Sequence, residues 1–410
     1  MVDALRWRLR RGERLGCTVG LALVAAVLSS CTTASHATTG SAAHPSTPSP
    51  AAASLVALAS DGTAVPAPGG VATVNWRQPF RLMVAGGELQ SVQVASVDGP
   101  VAGVAGAHGW KATSAVTPSS TYRVSAVLRG SLGVERHTSL SVRTSAPDEV
   151  LSATVSPDGQ VRGVGQPVVV QLNHAVDSRA ARAALLARMQ VQAVPPAQGD
   201  WRFISSTELH YRPAVYWRPG THVHVRVALR GYRVGNTGTW GDQRSRTTDF
   251  TVGPGVVSTV DVTAHTMTVR RNGSVLRVLP VSTGRDKYPT KGGVHLILAV
   301  EREQLYDSST VGIPTASPDG YYEKLPYSMR ISDGGAFVHA NPATIRFQGR
   351  QNVSHGCVNL SLADAQWFYN LSHRGDIVNI VHAAVGPVLS DPGMADWNVS
   401  WPTWKATRLG

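Results

Sequence analysis

The chain is poor in cysteine: 410 residues carry three, Cys17, Cys31 and Cys357, which excludes a disulfide-stapled scaffold. Neither a Cys-x-x-Cys nor a His-Glu-x-x-His spacing occurs, so the common zinc frameworks lack their ligands. The apolar run 15–28 is shorter than the ~20 residues that span a bilayer. Acidic residues are also scarce, 26 against 38 Lys and Arg, for a formal charge of +12. Arg6, Arg8, Arg10, Arg11 and Arg14 against Asp3 and Glu13 put +3 in the first thirty residues, leaving +9 beyond them. That charge is scattered and accompanies no nucleic-acid module, which excludes nucleic acid as the partner and suits anionic surroundings such as lipid or wall polymer.

What is abundant points to strands. Forty glycines and twenty-five prolines punctuate Val- and Thr-rich runs, so the chain is expected to be mainly β, with little helix and several domains. Residues 1–30, basic and then apolar, end in Leu28-Ser29-Ser30-Cys31 and resemble the signal peptide of a bacterial lipoprotein. That resemblance implies cleavage before Cys31, a lipid on its sulfur, and anchoring to the outer face of the cytoplasmic membrane. Residues 31–54 are rich in Ser, Thr, Ala and Pro, without charge, and are expected to be a flexible tether.

In 55–146, short candidate strands (71–76, 80–84, 122–128, 138–142) alternate with turn residues at a spacing that predicts a β-sandwich. Segment 147–252 repeats the plan, and its 223–231 echoes 122–130. Residues 178–189, after Asp177, predict a short helix. A third domain is expected over 253–382. Asn272-Gly273 between alternating runs predicts a hairpin, strands are expected at 293–300, 335–339 and 377–381, and Ser361-Leu362-Ala363-Asp364 opens a helix through Tyr369. In the tail 383–410, Trp397, Trp401 and Trp404 carry too much apolar area to stay in water, so the tail is expected to pack back on the protein.

One stretch carries the chemistry: His339, fourteen residues, then Ser354-His355-Gly356-Cys357-Val358-Asn359. With Cys17 removed in the leader and Cys31 lipidated, Cys357 is the sole free thiol. A thiol attacks a carbonyl only as thiolate and so needs a base beside it. His339 is the expected general base, and His355 is expected to shape the loop. Ser354 supports that loop, while Gly356 bends it tightly and leaves its amide, with that of Cys357, to face a developing oxyanion. His339, His355 and Cys357 make three zinc ligands without a fourth, so no metal is expected.

These residues resemble the signature of the L,D-transpeptidases with a YkuD-type catalytic domain. The similarity extends to Ser308-Ser309-Thr310-Val311-Gly312-Ile313-Pro314, Ser317-Pro318-Asp319-Gly320-Tyr321, Ala365-Gln366-Trp367-Phe368-Tyr369 and Arg374-Gly375-Asp376-Ile377-Val378, and points to the mycobacterial and actinobacterial multi-domain branch. It implies two immunoglobulin-like β-sandwich domains acting as spacers before a β-rich catalytic domain with one or two short helices. It further implies a backbone carbonyl that orients the imidazole, at Gly334-Gly335, and a cleft lined by Tyr321, Gly334, Gly335 and Asn359. The implied reaction joins peptidoglycan stem peptides 3→3 through a cysteine thioester, releases D-alanine and needs no cofactor; the implied inhibitors are carbapenems. A cysteine hydrolase of the same stems and a non-catalytic wall-binding lipoprotein are the alternatives.

Overall fold

The computed structural model describes residues 52–410, apart from 60, 66–69 and 115. The expected signal peptide, the expected lipidation at Cys31 and most of the expected tether lie outside the described residues. Ser54, the last residue of the expected tether, already begins a strand, Ser54–Leu58, paired antiparallel with Arg81–Ala85.

Two β-sandwiches come first. In one, a sheet ordered Ser54–Leu58, Arg81–Ala85, Gly109–Ala112, Gly103–Gly106 faces a five-stranded sheet centred on Thr121–Gly130. Alternate side chains of Thr121–Gly130 point inward, where Tyr122, Val124 and Leu128 meet Phe80, Leu82 and Trp110. In the second, a sheet of Ala153–Ser156, Val168–Leu172, Glu208–Pro213 and Gly199–Phe203 packs on one of Val161–Arg162, Arg246–Val252, His222–Val227 and Met189–Val194. The two stretches that echo each other in sequence both lie in inner strands, Thr121–Gly130 and His222–Val227. The expected helix is Arg179–Leu186, capped by the Ser178 hydroxyl, which accepts the Ala181 N–H at 3.2 Å.

The third region also has two sheets. One runs Ser274–Pro280, Thr266–Arg271, Val256–Asp261, Ile377–Val381, Gly293–Leu296. Its first hairpin turns at Asn272 and Gly273, both at positive φ (51° and 85°), the left-handed pair that a two-residue turn of this hand requires. The other runs Ala299–Asp307, Tyr322–Arg330, Phe337–Ala340, Val358–Leu360. The single strand expected at 293–300 is thus split between two sheets. The helix Leu362–Leu371 has Ser361 as its cap, accepting from the Asp364 N–H at 3.1 Å.

The tail folds back, as expected. Its helix Trp401–Ala406 lies against Gly199–Phe203, and Trp404 is fully buried with its indole N–H on the Asp200 carbonyl at 3.0 Å. The partner of the three tryptophans is Arg212, itself buried, whose guanidinium carbon lies 4.7, 5.3 and 4.7 Å from the rings of Trp397, Trp401 and Trp404. Where the second sandwich meets the third region, Gly163 and Gly165 donate to the carbonyls of Arg374 and Gly375 at 2.7 and 2.9 Å. A Cβ on Gly163 would lie 2.0 Å from the Asp376 nitrogen, so only glycine allows that approach.

A buried ion triad closes the clasp. The two ring nitrogens of His210 lie 2.9 Å from Asp396 of the tail and 2.8 Å from Glu208. Burial alone would push the imidazole down, but the charges of Asp396 and Glu208 outweigh it and hold it at about 9. A folded-state value above the unfolded 6.5 means that this stabilisation is full below pH 6.5 and lost as pH rises through about 9. Melting temperature measured against pH is expected to fall over that window, and to fall less steeply in His210→Gln.

Candidate active site

The site is assembled where two short parallel strands meet. Phe337–Ala340 is buried throughout and pairs with Val358–Leu360 so that His339 stands opposite Asn359. Cys357 lies two residues before Asn359, and side chains two apart along an extended chain share a face, so the sulfur and the imidazole emerge on the same side. Both line a cavity of about 190 Å³ with Tyr306, Tyr321, Thr344, Ser354, His355 and Asn359. The strand Val358–Leu360 lies between Cys357 and the helix Leu362–Leu371.

The imidazole has one tautomer. Its Nδ1 is 2.9 Å from the Ala340 carbonyl oxygen, which can only accept, so Nδ1 carries the hydrogen and Nε2 keeps its lone pair. Burial pushes His339 down to about 4, against the pull of that carbonyl. The ring of Tyr306 stands 4.8 Å from it. The orienting carbonyl is therefore that of the next residue, Ala340, and not one from Gly334-Gly335 as the sequence reading had it. Gly335 instead presents its carbonyl to the Cys357 thiol, at 3.8 Å from Sγ. Cys357 is half-buried. Burial pushes its thiol up to about 11, opposed by a backbone hydrogen bond at Phe337 and the charge of Arg330. At neutral pH the pair therefore rests as neutral thiol and neutral imidazole, not as an ion pair.

The loop before the cysteine is fastened by Ser354. Its hydroxyl donates to the Cys357 carbonyl at 2.7 Å and accepts the Gly356 N–H at 3.1 Å. This corrects the expected oxyanion role of Gly356, because its amide hydrogen is already engaged. Its φ of +117° supports the expected sharp bend. Among the described residues the Cys357 N–H has no acceptor, leaving it as the donor available to an oxyanion.

His355 is held in a charged network at the cavity wall. Arg285 reaches its Nε2 at 2.8 Å and pairs with Asp319, which also accepts from Lys287 at 2.5 Å and the Tyr288 hydroxyl at 3.1 Å. Burial, then the charge of Arg285, pushes the His355 imidazole down. With its ring nitrogen facing a guanidinium, His355 does not join His339 and Cys357 as a ligand set. The network ties the loop carrying Asp319 and Tyr321 to the cysteine loop, and the Tyr321 ring lies 5.1 Å from that of His355.

Asn359 is buried, donates Nδ2 to Thr344 at 3.3 Å, and leaves Oδ1 without a partner at the cavity wall. Gly334 and Gly335 line a second cavity of about 410 Å³ that shares Tyr306 and Tyr321 with the first. That glycine turn is held by the tail: the Asp391 carboxylate accepts the N–H groups of Asp333 and Gly334, each at 3.1 Å. Sequence reasoning missed Ala340, Tyr306, Arg285 and Asp391. The first acts through a carbonyl that every residue has, and Asp391 lies more than fifty residues from its partners.

Comparison with known proteins places two families on the chain: the bacterial Ig domain over residues 71–233, running across both sandwiches, and the L,D-transpeptidase catalytic domain, YkuD, over 255–380. L,D-transpeptidase 2 of Mycobacterium tuberculosis is 35% identical over 341 residues, covering 82% of this chain and 82% of its own. L,D-transpeptidase 5 of the same species is 29% identical over 339 residues, 80% of this chain and 72% of its own. Among solved structures, an LD transpeptidase in complex with imipenem matches at 33% identity and a TM-score of 0.49, over 57% of this chain and 100% of that one. L,D-transpeptidase 3 from M. tuberculosis, in complex with a faropenem-derived adduct, matches at 33% identity and a TM-score of 0.47, over 56% and 97%.

Proposed function

From the premise that the chain belongs to the L,D-transpeptidase family, we propose that it forms 3→3 cross-links between peptidoglycan stem peptides, with Cys357 as nucleophile and His339 as general base. The observation that carries this reading is the thiol and the unprotonated Nε2 of a tautomer-locked imidazole opening on one cavity. As the carbonyl of the third stem residue arrives, His339 Nε2 takes the thiol proton and Sγ bonds to the carbonyl carbon. The oxyanion meets the Cys357 N–H. Collapse breaks the amide bond, the proton on His339 passes to the departing nitrogen, and D-alanine leaves a thioester behind. The side-chain amine of a second stem then attacks, gives its proton to His339, and expels the sulfur, which recovers that proton.

No step requires a metal or an organic cofactor. Two adjoining cavities, rather than one, support a reaction with two peptide substrates over simple hydrolysis. We take 55–146, 147–252 and 253–382 as the domains and the tail 383–410 as a clasp, a division supported by strands that pair within each span, and we assign the two sandwiches a spacer role. The leader sequence supports export, and Cys31 supports a lipid anchor on the outer face of the membrane. Carbapenems, the inhibitors that the resemblance implies, are expected to acylate Cys357.

The test is product analysis with the full chain and a disaccharide-tetrapeptide. D-Alanine and a 3→3 dimer are expected, together with a gain of one drug mass on exposure to a carbapenem. Tripeptide formed without dimer would replace cross-linking by hydrolysis, and no turnover with no drug adduct would remove the enzyme reading.

A further inference from the structure

Arg330 is a charge that the mechanism above does not use. It ends the strand Tyr322–Arg330, stands opposite Phe337 in register, and lays its guanidinium 4.6 Å from that ring. Its one polar contact, to the Ser332 carbonyl, is long at 3.5 Å, and among the described residues no carboxylate pairs with it. The side chain is half-buried and lines the larger cavity beside Gly334 and Gly335, on the side of the sulfur where the Gly335 carbonyl lies. Two acids share that cavity. Asp307 turns one oxygen to the Ser309 N–H and hydroxyl at 2.9 and 2.7 Å, and Asp333 is exposed, so neither neutralises the guanidinium. A planar fork of donors, shielded on one face by an aromatic ring and open on its polar edge, is matched by a carboxylate.

We propose that Arg330 anchors a substrate carboxylate next to the reacting bond, and so makes the enzyme select for a free acid at that point. The inference rests on the cross-linking reading and deepens it, because two substrates could present the group. The donor has the terminal carboxylate of the residue that leaves. The acceptor has a carboxylate where its diamino acid ends in an amine beside an acid. The charge of the guanidinium also opposes the effect of burial on the Cys357 thiol.

The experiment measures kcat/KM with the full chain on two arms. One arm compares a donor tetrapeptide ending in a carboxylate with the same donor ending in an amide. The other compares an acceptor bearing a carboxylate beside its amine with one amidated there. On one arm the wild type is expected to prefer the acid by about ten- to a hundredfold, the range for a hydrogen bond to a charged group. In Arg330→Gln the preference on that arm falls to near unity, and Arg330→Lys restores part of it. The preference is a ratio, so a general effect of the substitution on the thiol cancels. Equal rates on acid and amide in both arms, or a preference that survives in Arg330→Gln, overturn the anchor while leaving cross-linking intact. A wild type inert on every donor overturns both.

Discussion

Cys357→Ala is expected to release no D-alanine, form no dimer and gain no carbapenem mass, and His339→Ala to lower kcat/KM by about 10²–10⁴, the usual worth of a general base. The pH profile separates the two roles. With the imidazole held down to about 4 and the thiol pushed up to about 11, both groups are neutral across the interval between. The wild-type rate should therefore be flat from about pH 5 to pH 10, without an acid limb at the 6.5 of an ordinary histidine. Without the imidazole only free thiolate reacts, so His339→Ala should show a rate rising about tenfold per pH unit toward pH 11. An acid limb near 6.5 in the wild type would show that His339 is not shielded in the working enzyme, and a flat profile in His339→Ala would assign the base elsewhere. The same shift bears on stability. A folded-state value below the unfolded one costs nothing above pH 6.5 and destabilises the fold as pH falls from 6.5 to about 4, by about 3 kcal/mol at most.

Much of this site was legible in the chain because its parts are local. The Cys357 loop motif, the Asn272-Gly273 turn and the Ser361 cap each work through side chains within a few residues, so spacing alone carries them, whereas the helix expected over 178–189 after Asp177 starts one residue later, with Ser178 as its cap. The strand Tyr322–Arg330 escaped because it has no alternation and contains Pro326, a residue that usually argues against a strand. Val358–Leu360 is three residues long and wholly buried, so no period can show. The resemblance put the orienting carbonyl at Gly334-Gly335, whereas the ring takes the oxygen of its own neighbour, Ala340. Gly356 was read for its missing side chain alone, and the Ser354 hydroxyl that claims its amide could be found only in three dimensions. The partners of the tail belong to the same class. Nothing near Trp397 in sequence announces that Arg212 is waiting for it.

Deleting residues 386–410 is expected to abolish cooperative folding of everything from the second sandwich onward. Removing a buried tryptophan costs about 3–5 kcal/mol, and a whole domain is stable by about 5–15 kcal/mol. Truncation would remove Trp397 and Trp404 together, strip the buried Arg212 of its partners in the tail and leave His210 with Glu208 alone. Two point variants separate the jobs of the tail. Trp404→Ala acts far from the sulfur, so it should lower the melting temperature and leave the pH profile of kcat/KM unchanged. Asp391→Ala frees the N–H groups of Asp333 and Gly334, and with them the turn whose Gly335 carbonyl faces Sγ. It should lower kcat by about tenfold with a smaller thermal effect, as expected for the loss of hydrogen bonds to a charged group that holds a reacting atom in place. Should Asp391→Ala turn over at the wild-type rate, the tail would be a structural clasp only, and the turn beside the thiol would hold its shape unaided.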